Sequence, residues 1–296
     1  MDSGTEAGSR KDALRLGESP ILVGVDWSEG ARHALEWTSL IARSSGSSLT
    51  LLHSIAPWDR LQAEPEPDLE RYRTVATGAV DRWAERLDGL RHDTRVLDGD
   101  PAVSILTVAG EISPGLIVVG SHGSGRFSSR LLGSVATKVL HSAKGPVAIV
   151  PRSARVGSIQ GNLVVGVDGS PSSMRATDWA AHTAKVLSVG AYLVSAYPSG
   201  SYAERPNLPE SDSVSPVEDS LEVIRALAAE MAEATGIPAE SDVLIGQPSR
   251  RLVDVARDDF ALVLGSTGQT SPPDSALGST SRYAATHASV PVIIIP

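Results

Sequence analysis

Ile21-Leu22-Val23-Gly24-Val25-Asp26-Trp27-Ser28 returns about 142 residues later as Leu163-Val164-Val165-Gly166-Val167-Asp168-Gly169-Ser170. The run at 21–25 has no polar side chain and lies between Pro20 and Asp26. An unbroken apolar run predicts a strand buried on both faces, as in a parallel sheet. A helix is expected from Ser28, a good N-cap residue, with Glu29 in the first turn where the helix dipole favours an acid. Ala31, Ala34, Leu35, Thr38 and Ile41 then share one face, and Gly46 closes the helix. Glu36-Trp37 recurs at the same offset as Asp178-Trp179.

Further stretches repeat. Leu116-Ile117-Val118-Val119-Gly120-Ser121-His122-Gly123 returns as Ala261-Leu262-Val263-Leu264-Gly265-Ser266-Thr267-Gly268. Gly145-Pro146-Val147-Ala148-Ile149-Val150-Pro151 returns as Val290-Pro291-Val292-Ile293-Ile294-Ile295-Pro296. A repeat of this length is a duplicated domain rather than a solenoid unit. The expected organisation is a disordered leader at 1–19, a domain at 20–151, a linker at 152–161 and a domain at 162–296. In the first half strands are expected at 21–25, 49–56, 91–97, 116–119 and 147–150, with helices at 65–87, from Pro101 and at 134–142 besides the first. The second half predicts strands at 163–167, 191–197, 239–245, 261–264 and 292–295, with helices from Ser170, at 217–234, from Pro248 and from Ser279. Such alternation gives an α/β fold: two tandem, doubly wound, Rossmann-like parallel sheets of five strands each. Ligands are expected at the carboxyl ends of the strands.

Composition narrows the function. The 296 residues include 26 basic and 35 acidic side chains, a net charge of -9. That balance disfavours nucleic acid or an anionic membrane as partner, since both require clustered positive charge. There is no cysteine, which excludes disulfides and thiolate chemistry. No apolar stretch reaches the roughly 18 residues of a membrane helix. The polar leader also lacks a signal-peptide core, so a cytoplasmic protein is the expectation.

The loop after the fourth strand carries the chemistry. In the first half Gly120 and Gly123 are followed, nine residues on, by Gly133-Ser134; in the second, Gly265 and Gly268 are followed by Gly278-Ser279 at the same spacing. The first glycines are expected to let the backbone turn tightly and approach a ligand. The last glycine and serine open a helix, whose free N–H groups and dipole suit phosphate. Arg126 and Arg130 lie in the first loop, where they can meet phosphate charge. The second loop has no base and carries Asp274, so its site is expected to be the weaker. There is no lysine-bearing phosphate loop, dinucleotide fingerprint, nucleophile elbow or zinc-protease motif.

The VGVD-x-S opening, the spaced glycine loop and the proline-led last strand, each present twice, resemble the tandem universal stress protein family. The resemblance covers nearly everything outside the leader and implies the adenine nucleotide alpha hydrolase-like form of the fold. It also implies the ATP-binding branch, with ATP bound alone or with Mg or Mn. Carried over residue by residue, it implies nucleotide contacts from Gly24, Val25, Asp26, Gly120, Gly123, Gly133, Ser134 and Val135 in the first half. In the second half it implies Asp168, Gly265, Gly268, Gly278, Ser279 and Thr280. The end of the second strand, near Ser54 and Ala196, is implied to face adenine.

Other readings stay open. Asp26 and Asp168 are also the kind of residue that caps a following helix. His122 reads as a polar loop residue, with no acid or nucleophile tied to it, and His53 as structural. Trp37 and Trp179 read as packing residues. A regulatory binder of adenine nucleotide in the stress response is the favoured function. A slow ATP hydrolase is the first alternative and an interaction protein without nucleotide the second. The last strand of each half is expected at an edge, so the two copies are expected to pair antiparallel within one chain, as a pseudo-dimer, with a homodimer also open.

Overall fold

The computed structural model describes residues 15–56, 69–123, 131–198, 216–269, 271–272 and 275–296. In the first half β1 (Ile21–Gly24), α1 (Glu29–Ser45), β2 (Leu49–Ile55), α2 (Leu69–Ala84), β3 (His92–Asp98), α3 (Pro101–Ile112), β4 (Leu116–Gly120), α4 (Ser134–Ser142) and β5 (Val147–Val150) follow in order. The second half repeats this with β6 (Asn162–Gly166), α5 (Pro171–Leu187), β7 (Gly190–Tyr197), α6 (Pro216–Thr235), β8 (Ala239–Ile245), α7 (Pro248–Val255), β9 (Ala261–Gly265), α8 (Ser279–His287) and β10 (Val292–Ile295). The helix expected over 65–87 is α2 followed by a short 3-10 turn, Glu85–Leu87, and its first residues fall outside the described ones.

The ten strands of the described residues form one sheet in the order β3-β2-β1-β4-β5-β10-β9-β6-β7-β8. Pairing is parallel within each half and antiparallel at the centre, where Val292 faces Ile149, Ile293 faces Ala148 and Ile294 faces Val147. The last strands thus cover each other's edges, as their apolar, proline-bounded sequences predict. The outer edges are β3 and β8. They carry His92, Asp93, Arg95 and Asp98 on one side and Glu240 and Asp242 on the other. Charge on an outer strand discourages further pairing.

Helices cover both faces. Trp37, Ile41, Val80, Trp179, Ile224 and Phe260 belong to one apolar layer that runs through both halves. Trp37 is fully buried and stacks on Phe260 of the other half, ring centroids 5.7 Å apart. Leu52, Ile105, Val139, Leu252, Leu264 and Ile294 belong to the layer on the opposite face.

The leader needs correction. Residues 15–19 do not stand free: Leu16 is fully buried, and its carbonyl accepts a hydrogen bond from the His182 ring at 2.8 Å. The Gly17 N–H donates to Ser47 Oγ at 2.8 Å. One leucine in a polar stretch is a faint signal, yet its burial ties the chain ahead of β1 to helix α5 of the other half. Residues 1–14 lie outside the described ones.

Candidate functional site

Both sites grow from the turn after the first strand of each half. In the first, Ser28 Oγ accepts from the Ala31 N–H at 3.1 Å, and Asp26 Oδ1 accepts from the Ser28 N–H at 3.1 Å. In the second, Ser170 Oγ accepts from Ser173 N–H at 3.2 Å, and Asp168 Oδ1 accepts from Ser170 N–H at 3.0 Å. The serine is therefore the helix cap in both halves. The aspartate braces the turn through one oxygen, which leaves its second oxygen aimed at the glycine loop.

The loop glycines follow a different logic from the one expected. None of Gly120, Gly123, Gly133, Gly265, Gly268 or Gly278 has a positive φ, so a tight left-handed turn does not require them. Close packing does. A Cβ on Gly120 would lie 2.8 Å from the Gly30 carbonyl carbon, and one on Gly265 would lie 2.6 Å from that of Ser172, so the loop rests on the start of the next helix. A Cβ on Gly268 would lie 2.6 Å from Asp168 Oδ2, and one on Gly123 would collide with Asp26 Oδ2.

The second half holds a cleft of about 270 Å³ at the carboxyl ends of β6, β7 and β9. It brings together Gly166, Val167, Asp168, Ala196, Gly265, Gly268, Gly278, Ser279 and Thr280. This volume is at the small end of ligand pockets. Helix α8 opens into it from Gly278 with no side-chain cap, so the N–H groups of its first turn point outward without a helical acceptor. Among the described lining residues Asp168 is the one formal charge. Burial pushes its carboxyl up, but hydrogen bonds from Ser170, Gln269 and Ser173 outweigh that and hold it below the usual carboxylate range.

Two lining residues had no motif to point to them. Ser271 Oγ accepts from the Gly268 N–H at 2.9 Å. Tyr197, at the end of β7, joins its hydroxyl to Ser220 Oγ. Neither has a counterpart in the first half's sequence, so the repeat that exposed the glycines could not expose them.

In the first half, Gly24, Val25, Asp26, Gly120, Gly123, Gly133, Ser134 and Val135 occupy the matching positions of β1, β4 and α4. Helix α4 likewise starts from Gly133 with no side-chain cap. Ser54 Oγ donates to the Gly99 carbonyl and pairs with Ser104 Oγ, each at 2.9 Å, so its side chain ties β2 to the start of α3. His122 Nδ1 pairs with Ser121 Oγ at 2.9 Å, and its Nε2 is buried without a partner among the described residues. The Arg152 guanidinium, at the start of the linker, donates to the Gly123 carbonyl at 3.5 Å and puts a cation beside the loop. Arg126, Arg130 and Asp274 fall outside the described residues. His53 is buried, and its Nδ1–H donates to the Val25 carbonyl at 2.8 Å, a structural role.

This fold, with its doubled strand–loop–helix site, matches a known class. The sequence model of the universal stress protein family matches residues 19–151 and again 161–296, so the chain belongs to that family and carries two of its domains. It is 28% identical over 289 residues to universal stress protein Rv2623 of Mycobacterium tuberculosis, spanning 93% of this chain and 95% of that protein. Universal stress protein Rv1996 of the same organism is 26% identical over 308 residues, spanning 93% and 94%. The crystal structure of a universal stress protein from Archaeoglobus fulgidus superposes with a TM-score of 0.72 at 23% identity over 93% of this chain and 97% of that one, a likeness of fold. Among the described residues, no helix is long and apolar enough to cross a membrane.

Proposed function

We propose that the protein binds adenine nucleotides, ATP in the first half above all, and acts as a non-catalytic regulator or sensor in the stress response. The observation that carries this reading is the uncapped helix start after the glycine loop of each half, α4 from Gly133 and α8 from Gly278, the second of which opens into the cleft at the carboxyl ends of β6, β7 and β9. A helix start with unpaired N–H groups attracts phosphate, and the apolar strand ends beside it suit a base. The family's ATP-binding branch has the same glycine spacing. Mg or Mn accompanying ATP would be held chiefly by the phosphates, with Asp26 or Asp168 as the nearby carboxylate of each half.

Hydrolysis would require a group that orients water and others that stabilise transition-state charge. Asp26 and Asp168 already brace turns, and His122 has its Nδ1 engaged by Ser121 and its Nε2 buried. Binding without turnover is therefore the better reading. The test is to incubate the purified protein with ATP, separate the bound fraction, and analyse it after hours. Bound triphosphate is the expected result. Bound diphosphate accumulating with time would favour the hydrolase, and no bound nucleotide would favour an interaction protein.

A further inference from the structure

We infer that the second-half cleft selects an adenine nucleotide with a single phosphate over the triphosphate. This rests on the nucleotide reading above and narrows it.

The inference comes from where the cleft's donors are used. The Gly268 N–H, on the loop side of the cleft, is taken by Ser271 Oγ at 2.9 Å. The next one, on Gln269, is taken by Asp168 Oδ2 at 3.1 Å. The Thr267 carbonyl is held by the hydroxyls of Ser170 and Ser172, which fixes this side of the loop in place. What remains open is the start of α8, where the first-turn N–H groups and the hydroxyls of Ser279 and Thr280 lie together. That is one phosphate's worth of donors.

A second and third phosphate would have to break both loop hydrogen bonds. No described lining residue supplies a cation to offset the added phosphate charge. Ser271 is thus the specificity-determining residue against longer phosphate chains.

The test is hydrogen–deuterium exchange on the full chain in metal-free buffer, titrated separately with AMP and with ATP. Peptides covering α8 report the second cleft, and those covering α4 report the first half. AMP is expected to protect the start of α8 at roughly tenfold lower concentration than ATP, the worth of one charged contact. Ser271→Ala frees the Gly268 N–H and is expected to narrow that gap by tightening ATP. Equal or tighter protection of α8 by ATP in the wild-type chain would overturn the inference. So would protection of α4 alone, which leaves the nucleotide reading standing for the first half. Protection of neither helix by either nucleotide would overturn both.

Discussion

Asp168 and Gly268 are locked together: the aspartate's Oδ2 lies where a side chain on Gly268 would begin, 2.6 Å from an added Cβ, and the same oxygen accepts the N–H of Gln269 at 3.1 Å. Asp26 and Gly123 repeat the contact in the first half. The glycine and the aspartate of each motif are thus one unit, 97 residues apart in the first half and 100 in the second but in contact at the carboxyl ends of the strands.

Substituting Gly268 by alanine should therefore destabilise the fold by about 1–3 kcal/mol through overcrowding. Asp168→Ala in the same chain should recover a large part of that loss, because the opposing oxygen is gone. A double-mutant cycle from denaturant unfolding checks this. Additive losses would mean that the two residues do not press on each other.

Acid should weaken the second site's scaffold. The folded-state pKa of Asp168 is lowered, so its stabilising contribution is present above the unfolded value of about 3.9 and is lost as pH falls through the folded one. Asp168→Asn removes this term. Its unfolding midpoint should fall less steeply than that of the wild type below about pH 4. Parallel curves would contradict the assignment.

Leu16→Ala should cost about 2–5 kcal/mol, the usual loss for a fully buried leucine. The measurement is urea unfolding of the full chain. A change within experimental scatter would show that residues 15–19 do not hold the two halves together.

Truncation after Pro151 removes β10 from β5 and Phe260 from Trp37. The isolated first half should then dimerise through its exposed β5 edge, read as a doubled mass in light scattering. A stable monomer at high concentration would count against the exposed edge as the source of association.

The repeat made the succession of strands and helices along each half legible, along with the helix caps at Ser28 and Ser170. It also exposed the antiparallel seam, because apolar runs and flanking prolines are local signals. The reason for the loop glycines was not legible, since Asp26 lies far from Gly123 in sequence and the contact is tertiary. Trp27 shows the same limit. It sits in the left-handed region at φ 66, the position that Gly169 fills at φ 76 in the second half, and packs on His53 with centroids 4.5 Å apart. Tertiary aromatic contact overrides the local preference there. Ser271 escaped because it belongs to the part of the loop that the two halves do not share.

Calorimetric titration of the full-length protein with ATP tests the central claim most directly. Saturable binding is expected, with at least one nucleotide per chain and a dissociation constant below about 1 mM, carried by the first half. Absence of saturable heat up to that concentration, with the chain folded and with Mg or Mn present or absent, would contradict it.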